Sequence, residues 1–578
     1  MKEKKTSIIR QSWSQLLLVI GIIIVVNLIS SNLFTRFDLT NEKRYTLSTE
    51  TRELIKNVDD IVYFRVFLEG EFPAGFKRLK RETKELLDEF RAYNKNIQYE
   101  FINPSASEDQ KERNATYQLL VQQGLQPTNL QVKTKTGLEQ QVIFPGALIS
   151  YRNNETSIEL LDAQMNVPPE GVLNNSIENL EFKLANAIYK ITRLKKPSIA
   201  FIEGQGELDE QDTYDLAASL QENYIVDRIR IDSKLNALVN RILVDSVKQV
   251  WEIAPKYATI IIAKPDSMFS GKDRFIIDQY LMYGGKILWF VDPVLASMDS
   301  ISGSENTVAI AKNLDLQSQL FTYGVRLNKD LVMDLSANSI PIRTGQMGNQ
   351  PQIEFFPWYY FPIVTPTTKH PIGKNLNAIS TQFVSSIDTL TTKNVKKTIL
   401  LSTSPYSRIE QVPALISLSM LREQPDPRQY TTPPQAIAVL LEGTFASDFK
   451  NRIPPEIMND KGIGFSEISV PTAMLVVSDG DMVRNQFQKG KPLPLGYDQY
   501  TRETFGNKDF VMNAINYLTE GPGLISLRSR EMKLRLLDKT KVNESKLTWQ
   551  LFNILAPVLL IITAGLVLIR LRKRKYAR

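Results

Sequence analysis

Five acidic residues occupy sequence positions from which their carboxylates could act together in one site. Each follows a stretch of apolar and β-branched residues that predicts a β-strand: Glu203, Glu207, Asp292, Asp479 and Asp481. In an open α/β sheet, ligands bind in the crevice beyond the carboxyl ends of the strands, so these side chains could line one acidic cleft for a ligand or an ion. Paired carboxylates hold hard cations or catalyse glycoside hydrolysis. In the plainer interpretation each acid ends a strand or caps the next helix, and the sequence leaves both open.

Other chemistries lack the residues that they need. The 578 residues include no cysteine, which excludes disulfides, thiolate metal sites and thiol nucleophiles. The single histidine, His370, leaves little material for a Ser-His-Asp relay or a histidine metal site. Gly284-Gly285-Lys286 lacks the upstream glycine of a P-loop and is followed by a predicted strand. We therefore predict no catalytic residues, no cofactor, no metal and no enzymatic activity.

The aromatic run from Phe355 to Phe361 is a second candidate for binding. Its rings could stack on a sugar or cover the apolar surface of a partner. Such a run also commonly fills the core beneath a loop. The sequence does not separate these interpretations.

The first of three blocks, at residues 40–195, predicts an α/β domain. A β-branched and aromatic strand at 61–68, apolar residues at helical spacing over 76–93 and a strand at 97–102 form a βαβ unit. This unit resembles the start of a thioredoxin-like fold, although a C-x-x-C pair is impossible here. A helix whose start is marked by Asn175 and Glu178, at capping-box spacing, closes the block.

Strands and helices alternate in the second block, residues 197–300, which predicts a flavodoxin-like or amidotransferase-like parallel sheet with helices on both faces. The third block, 301–523, contains Pro-rich connections and further α/β elements that could complete the preceding sheet. The predicted fold class is thus an α/β multidomain periplasmic region between two transmembrane helices.

Apolar stretches at 13–34 and 549–570 are each long enough to span a membrane. The first follows a basic tail at 1–12, and the second lies between a connector at 524–546 and a basic tail at 571–578. The positive-inside rule predicts a double-pass protein of the bacterial inner membrane, with both termini cytoplasmic and the main domain periplasmic.

The alternative for the first stretch is a cleaved signal peptide ending at Ser30 or Ser31. A retained anchor fits better, because Ile29 stands where a small residue is wanted and the apolar stretch continues beyond it. The net charge of +7 comes largely from the two tails, which favours anionic membrane lipids rather than nucleic acid as the partner.

Several stretches, taken in order, resemble the GldG family, an accessory membrane subunit of an ABC transporter associated with gliding motility in Bacteroidetes-type bacteria. The resemblance covers essentially the whole chain and is carried by 44–48, 199–207, 284–293, 438–443, 477–481 and 527–530 leading to 549–551. It implies a non-enzymatic subunit with a GldF-like permease and a GldA-like ATPase as partners. One departure is Gly204-Gln205-Gly206-Glu207, where the family motif reads Gly-His-Gly-Glu. Any role of that histidine cannot apply to this chain.

The middle block also resembles, at the level of fold alone, the flavodoxin-like domain shared by class I amidotransferase relatives and an intraflagellar-transport protein. Given the family resemblance, polar and small residues in the second anchor are expected to face the permease: Asn553, Pro557, Thr563 and Gly565. The alternative is that they only kink or thin a lone anchor.

Three functional interpretations stay open at this level. The first is an accessory subunit whose outer domain binds a substrate or an envelope partner. The second is an envelope hydrolase or glycan-binding protein that uses the acidic strand ends, and the third is a scaffold without a small ligand. A homodimer within the complex is also compatible with the sequence.

Overall fold

The computed structural model describes residues 13, 16–25, 46–134, 137–162, 164, 167–193, 195–302, 306–347, 350–521, 523–529 and 545–576. The chain forms two compact units, one of Met1–Leu39 with Tyr45–Arg530 and one of Thr40–Arg44 with Glu531–Arg578. The predicted N-terminal tail, the second half of the first predicted anchor and most of the connector before the second lie outside the described residues.

The elements of the described residues are numbered in chain order. The α-helices are α1 (Leu16–Val25), α2 (Thr49–Lys56), α3 (Ala74–Tyr93), α4 (Gln110–Gln122), α5 (Pro169–Glu178), α6 (Leu180–Thr192), α7 (Tyr214–Gln221), α8 (Gly271–Met282), α9 (Met298–Ser302), α10 (Gln317–Tyr323), α11 (Pro455–Asn459), α12 (Asn507–Glu520) and α13 (Lys546–Tyr576). Short 3₁₀ turns cover Leu418–Arg422, Pro427–Gln429, Asp481–Val483 and Leu524–Ser529.

The strands are β1 (Val62–Val66), β2 (Ile97–Phe101), β3 (Thr128–Thr134), β4 (Gly137–Ile143), β5 (Gly146–Tyr151), β6 (Asn154–Glu159), β7 (Ser198–Glu203), β8 (Ile225–Arg230), β9 (Val239–Asp245), β10 (Val250–Pro255), β11 (Thr259–Ala263), β12 (Lys286–Phe290), β13 (Val294–Leu295), β14 (Asn306–Ala311), β15 (Val325–Leu327), β16 (Asp330–Asp334), β17 (Ala337–Met347), β18 (Gln350–Val364), β19 (Ile379–Ser380), β20 (Ile387–Thr389), β21 (Val395–Ser402), β22 (Ser407–Gln411), β23 (Ala414–Ser417), β24 (Ala436–Gly443), β25 (Thr472–Val477), β26 (Phe487–Gln488) and β27 (Lys491–Pro492).

The first block contains the predicted βαβ unit. Strands β1 and β2 pair in parallel across α3, and β5 and β6 extend the sheet antiparallel, in the order β2-β1-β5-β6. The predicted capping box at Asn175 is wrong, because Asn175 lies inside α5, which begins at Pro169. Proline suits the first turn of a helix, where its missing N–H would have no intrahelical acceptor.

A mixed seven-stranded sheet forms the centre of the large unit, in the order β21-β24-β25-β12-β11-β7-β8. Strands β8, β7, β11, β12 and β25 run parallel, and β24 pairs antiparallel with β25 and with β21. Every residue of β11 is buried, as expected for a strand covered on both faces. Side chains of α7 and α12 cover one face, and those of α8 and α10 cover the other. The carboxyl ends of five neighbouring parallel strands therefore meet at one edge.

Residues 300–435 were predicted to hold Pro-rich connections, of which 355–362 was one. They contain many short strands and one long hairpin, β17–β18, and 355–362 lies within β18. Pro362 O accepts the N–H of Thr381, so the backbone of Pro362 faces away from β17 and its missing N–H removes no bond to that strand.

In the small unit, α13 is a continuous helix that includes Pro557. Its segment Lys546–Arg574 is the one helix of the described residues that is long and apolar enough to cross a membrane. The first predicted anchor is described only as the shorter apolar helix α1. The double-pass arrangement therefore stays a prediction, as do the thioredoxin-like and flavodoxin-like assignments and the domain boundaries.

Candidate functional site

Three of the five predicted carboxylates meet around a lysine at the carboxyl edge of the central sheet. Asp292 follows β12, Asp479 and Asp481 follow β25, and Lys264 follows β11. Lys264 Nζ lies 3.3 Å from Asp292 Oδ2 and also forms an ion pair with Asp481 Oδ2. The sequence analysis missed Lys264, whose only signal was its position directly after a buried strand. We call these four residues the Lys264 cluster.

A glycine allows the close approach within the Lys264 cluster. The N–H of Gly480 donates to Asp292 Oδ1, and a Cβ added at Gly480 would lie 2.5 Å from Lys264 Cγ. Asp479 accepts bonds from the N–H groups of Asp481 and Met482, at 2.9 and 3.2 Å. Asp479 therefore caps the turn after its strand, as the plainer interpretation of the acids holds.

Within the Lys264 cluster, the neighbouring carboxylates disfavour one another's ionisation. Burial, followed by the nearby Asp292 and Asp481, raises the pKa of Asp479 well above its ordinary value. Burial also raises the pKa of Asp292, although Lys264 opposes the rise. Burial lowers the pKa of Lys264, but the carboxylates of Asp292 and Asp481 outweigh it and the net pKa is raised. Lys264 is thus held in its charged form, while the acids resist ionising together.

The other two predicted acids lie elsewhere on the same edge. Glu203 Oε1 pairs with Arg228 Nε of β8 at 2.5 Å. Glu207 Oε2 accepts the N–H of Gln205 at 2.7 Å, while its buried Oε1 has no hydrogen-bond partner among the described residues. Burial raises the pKa of Glu207. Their partners among the described residues belong to β8 and to the turn after β7, and none of these partners is a member of the Lys264 cluster.

A cavity of about 440 Å³ opens beside the Lys264 cluster. Asp481 forms part of its wall, and so does Gln382, whose N–H donates to Asp479 at 3.0 Å. The β17–β18 hairpin and the segment after β25 supply most of the rest. Other residues of the wall are Asp299, Asn338, Ser339, Phe361, Ser380, Arg484, Gln486, Phe487, Tyr497, Asp498, Gln499, Tyr500 and Phe505.

The aromatic run lies mostly in a core. Trp358 and Tyr360 are buried on the inner face of β18, and the Tyr360 hydroxyl donates to Glu410 at 2.8 Å. Phe355 is 50% exposed, whereas Phe361 is 7% exposed and contributes to the cavity wall. The run therefore fills a core within a strand rather than beneath a loop, and Phe361 joins that core to the cavity.

The candidate permease-facing residues lie on α13. On a helix with about 100° per residue, Asn553, Pro557 and Ala564 fall within about 40° of one another. Thr563 and Gly565 flank this stripe. The Thr563 hydroxyl donates to Leu559 O at 2.8 Å, so its bonding is satisfied within its own helix.

Comparisons with known proteins give a family for the chain. Residues 196–514 match a family model described as an ABC-type uncharacterized transport system, ABC_transp_aux, and residues 41–150 match a domain of unknown function, DUF7088. No curated protein matches. A solved structure titled "mmIFT52 N-terminal domain" is similar at 15% identity over 56% of this chain and 98% of that chain, with a TM-score of 0.29.

The family match indicates a non-enzymatic accessory role in transport and association with the components of an ABC transporter. The apolar helix α13 adds association with a membrane. Because the match to the transport-system model covers more than half of the residues, this chain belongs to the ABC_transp_aux family of ABC-type transport auxiliary proteins.

Proposed function

We propose that the protein is a GldG-like accessory subunit, anchored in the bacterial inner membrane near both ends, whose periplasmic domain binds a substrate or envelope partner in the cavity beside the Lys264 cluster. A GldF-like permease and a GldA-like ATPase are its proposed partners, and gliding motility is the proposed process. The resemblance of motifs along the chain and the family match support this proposal.

The observation that carries the proposal is the cavity itself. Its volume of about 440 Å³ is in the range of small-molecule sites, roughly 300–1,000 Å³. It lies at the carboxyl edge of parallel strands, where α/β sheets bind their ligands. Asp481 reaches this cavity from the position that the sequence pattern singled out.

The geometry favours binding over hydrolysis. A glycoside hydrolase needs two carboxyl groups that both reach the substrate. Asp292 and Asp479 are 7% and 0% exposed, and Asp481 is paired with Lys264. Of the five acids that the sequence pattern singled out, only Asp481 forms part of the wall, so this set does not supply the acid and base of a hydrolase.

Filling the cavity tests the proposal. Ser339→Trp places an indole in the wall, while Thr344→Trp places the same ring on an exposed part of the same strand as the control. We expect Ser339→Trp to abolish gliding, at normal abundance and with the permease and ATPase still co-purifying, and Thr344→Trp to glide normally. Full gliding by Ser339→Trp would contradict a ligand in this cavity.

A further inference from the structure

The wall of the cavity carries more acidic side chains than basic side chains. Asp299, Asp481 and Asp498 are in the wall, and Arg484 is the one basic side chain among its described residues. Two more carboxylates contact wall residues: Asp212 forms an ion pair with Arg484, and Asp479 accepts the N–H of Gln382. Asp292 is linked to the wall residue Asp481 through Lys264. Lys264 forms ion pairs with both Asp292 and Asp481.

Both basic side chains are already bonded to carboxylates. Lys264 bridges Asp292 and Asp481. Arg484 Nε lies 3.0 Å from Asp212 Oδ1, and its Nη1 lies 3.8 Å from Asp481 Oδ1. Neighbouring carboxylates therefore offset both positive charges, and acids outnumber bases at the wall.

Asp498 lies in the wall itself, and its hydrogen-bond donors are neutral. Its Oδ2 accepts from Asn338 Nδ2 at 2.7 Å, and its Oδ1 accepts from the N–H groups of Tyr500 and Thr501 at 2.8 and 3.3 Å. No lysine or arginine of the described residues forms a salt bridge with it, although its exposure is only 5%. A buried carboxylate without a counter-cation is costly, and a cationic ligand would offset that cost.

The directions of the pKa shifts around the wall agree with a negative electrostatic potential there. Although burial lowers the pKa of Arg484, the carboxylates of Asp212, Asp481 and Asp299 outweigh it and raise that pKa. On the other side of Asp481, burial and neighbouring carboxylates raise the pKa of Asp479. Basic and acidic groups therefore both respond to an excess of negative charge.

Aromatic rings and amides complete the wall. Rings attract cations through their negative faces, and amide oxygens accept bonds from N–H donors. The rings belong to Phe361, Phe487, Tyr497, Tyr500 and Phe505, and the amides to Asn338, Gln382, Gln486, Gln499 and Asn507. A neutral polyol could use these groups but would leave Asp498 without a counter-charge.

We propose that this cavity binds an organic cation, an ammonium or guanidinium group carried by a small polyamine or by a basic peptide side chain. The proposal rests on the ligand-binding function proposed above and specifies the charge of the ligand. The cation lies against Asp498 and Asp299 and stacks on the tyrosine rings beside them.

Calorimetric titration of the full chain in nanodiscs tests the proposal. The probes are spermidine for the free polyamine, an acetylated arginine amide for the basic side chain, acetylglutamate for an anion and glucose for a neutral polyol. Asp498→Asn retains an acceptor for the backbone N–H groups, Asp299→Asn is a second single-charge variant, and Tyr500→Ala removes a half-exposed ring. Asp388→Asn removes an exposed carboxylate paired with Arg326 and serves as the control.

We expect at least one cationic probe to bind, more weakly as salt is raised. Asp498→Asn and Asp299→Asn should each weaken binding by roughly tenfold or more, Tyr500→Ala by roughly twofold to fivefold, and Asp388→Asn not at all. Preference between the two cationic probes identifies the source of the charged group.

Three results would overturn the inference. They are no binding by either cationic probe at millimolar concentration, binding that the Asp498 and Asp299 variants leave unchanged, and preferential binding of acetylglutamate or glucose. Glucose or acetylglutamate binding that Ser339→Trp abolishes would retain the ligand cavity and reject only its cation. Normal gliding by Ser339→Trp would instead reject the proposed function itself.

Discussion

Two buried carboxylates, one on a helix that covers the central sheet and one at the carboxyl edge of that sheet, have different surroundings. Asp278 of α8 has neutral partners: its Oδ1 accepts from the Tyr323 hydroxyl and the Asp448 N–H, and its Oδ2 accepts from the Ser447 hydroxyl and the Gln279 amide. Asp292, in contrast, shares Lys264 with Asp481 and lies close to Asp479.

The comparison distinguishes a buried acid that stabilises the fold, Asp278, from a buried acid beside the candidate binding site, Asp292. Burial raises the pKa of both Asp278 and Asp292. At Asp278 each oxygen accepts two bonds, and these bonds join α8 to α10 and to the segment after β24. At the Lys264 cluster several like charges are held together beside a cavity. Accumulated like charge next to a cavity, rather than a shifted pKa alone, therefore marks the candidate site.

The largest effect on stability is expected at Asp278. Asp278→Ala leaves three buried donors without an acceptor, while the Gln279 amide keeps its bond to Ser466 O, and each unsatisfied group costs about 1–3 kcal/mol. We expect the free energy of unfolding to fall by about 4 kcal/mol or more, measured by urea denaturation monitored by circular dichroism. Asp388→Ala, at an exposed ion pair, should change it by about 0.5 kcal/mol or less. A loss below about 1 kcal/mol for Asp278→Ala would remove the structural side of the comparison.

A smaller loss is expected when the Lys264 cluster is crowded. In Gly480→Ala the new Cβ would lie 2.5 Å from Lys264 Cγ and 3.0 Å from Asp292 Oδ2. Overpacking a tight site costs about 1–3 kcal/mol, so the thermal midpoint should fall moderately. Gly271→Ala is the matched control, because nothing lies within 4 Å of its added Cβ. Equal midpoints for the two variants would show that the cluster is loosely packed.

Removing the central cation should change the pH dependence of stability. In Lys264→Met, Asp292 and Asp479 lose the charge that opposes their raised pKa, so their pKa values rise further. An acid whose folded pKa is raised binds more protons in the folded state. Its contribution is complete below the unfolded pKa of about 3.9 and is lost as pH rises towards the folded pKa.

Other buried acids contribute to the same slope, so the informative quantity is the difference between variant and wild type. We expect the destabilisation by Lys264→Met to grow between pH 5 and pH 8, by at most about 1.4 kcal/mol per pH unit for each acid that titrates. Lys234→Met, at a side chain that is 72% exposed, should follow the wild-type curve. A Lys264→Met curve parallel to the wild type would show that the lysine does not control the cluster.

The smallest effect on the outer domain is expected from the membrane helix. Replacing residues 551–569 with an unrelated apolar helix removes the stripe of Asn553, Pro557 and Ala564 but keeps an anchor. Each interhelical contact contributes on the order of 0.6 kcal/mol, so several must be lost together. We expect unchanged unfolding of the outer domain and loss of co-purification with the permease. A chimera that still co-purified would place the contact in the outer domain.

Local patterns were sufficient to predict much of the central sheet. The continuous apolar runs predicted its parallel strands within a few residues, for example Ser198–Glu203 and Lys286–Phe290. The acids after these strands were also predicted, because a polar residue that ends a buried strand is visible in the sequence. The hairpin β17–β18 was missed, since its prolines suggested connections although the missing N–H of Pro362 removes no bond to β17.

The sequence alone therefore determined which segments could be buried strands and which acids follow them. The apolar character of a segment, and the residue that follows it, can be read from adjacent positions in the sequence. Tertiary structure decided which acids meet. Strand β12 lies between β11 and β25, which brings Asp292 against Lys264 and Asp481, whereas β7 lies beyond β11 and leaves Glu203 with Arg228. Strand order also decided that β17 and the segment after β27 would close a cavity over this edge and bring Asp498 to Asn338. The Asn338–Asp498 and Lys264–Asp481 contacts join residues that are 160 and 217 positions apart, and such pairings depend on packing of the whole sheet rather than on any local pattern.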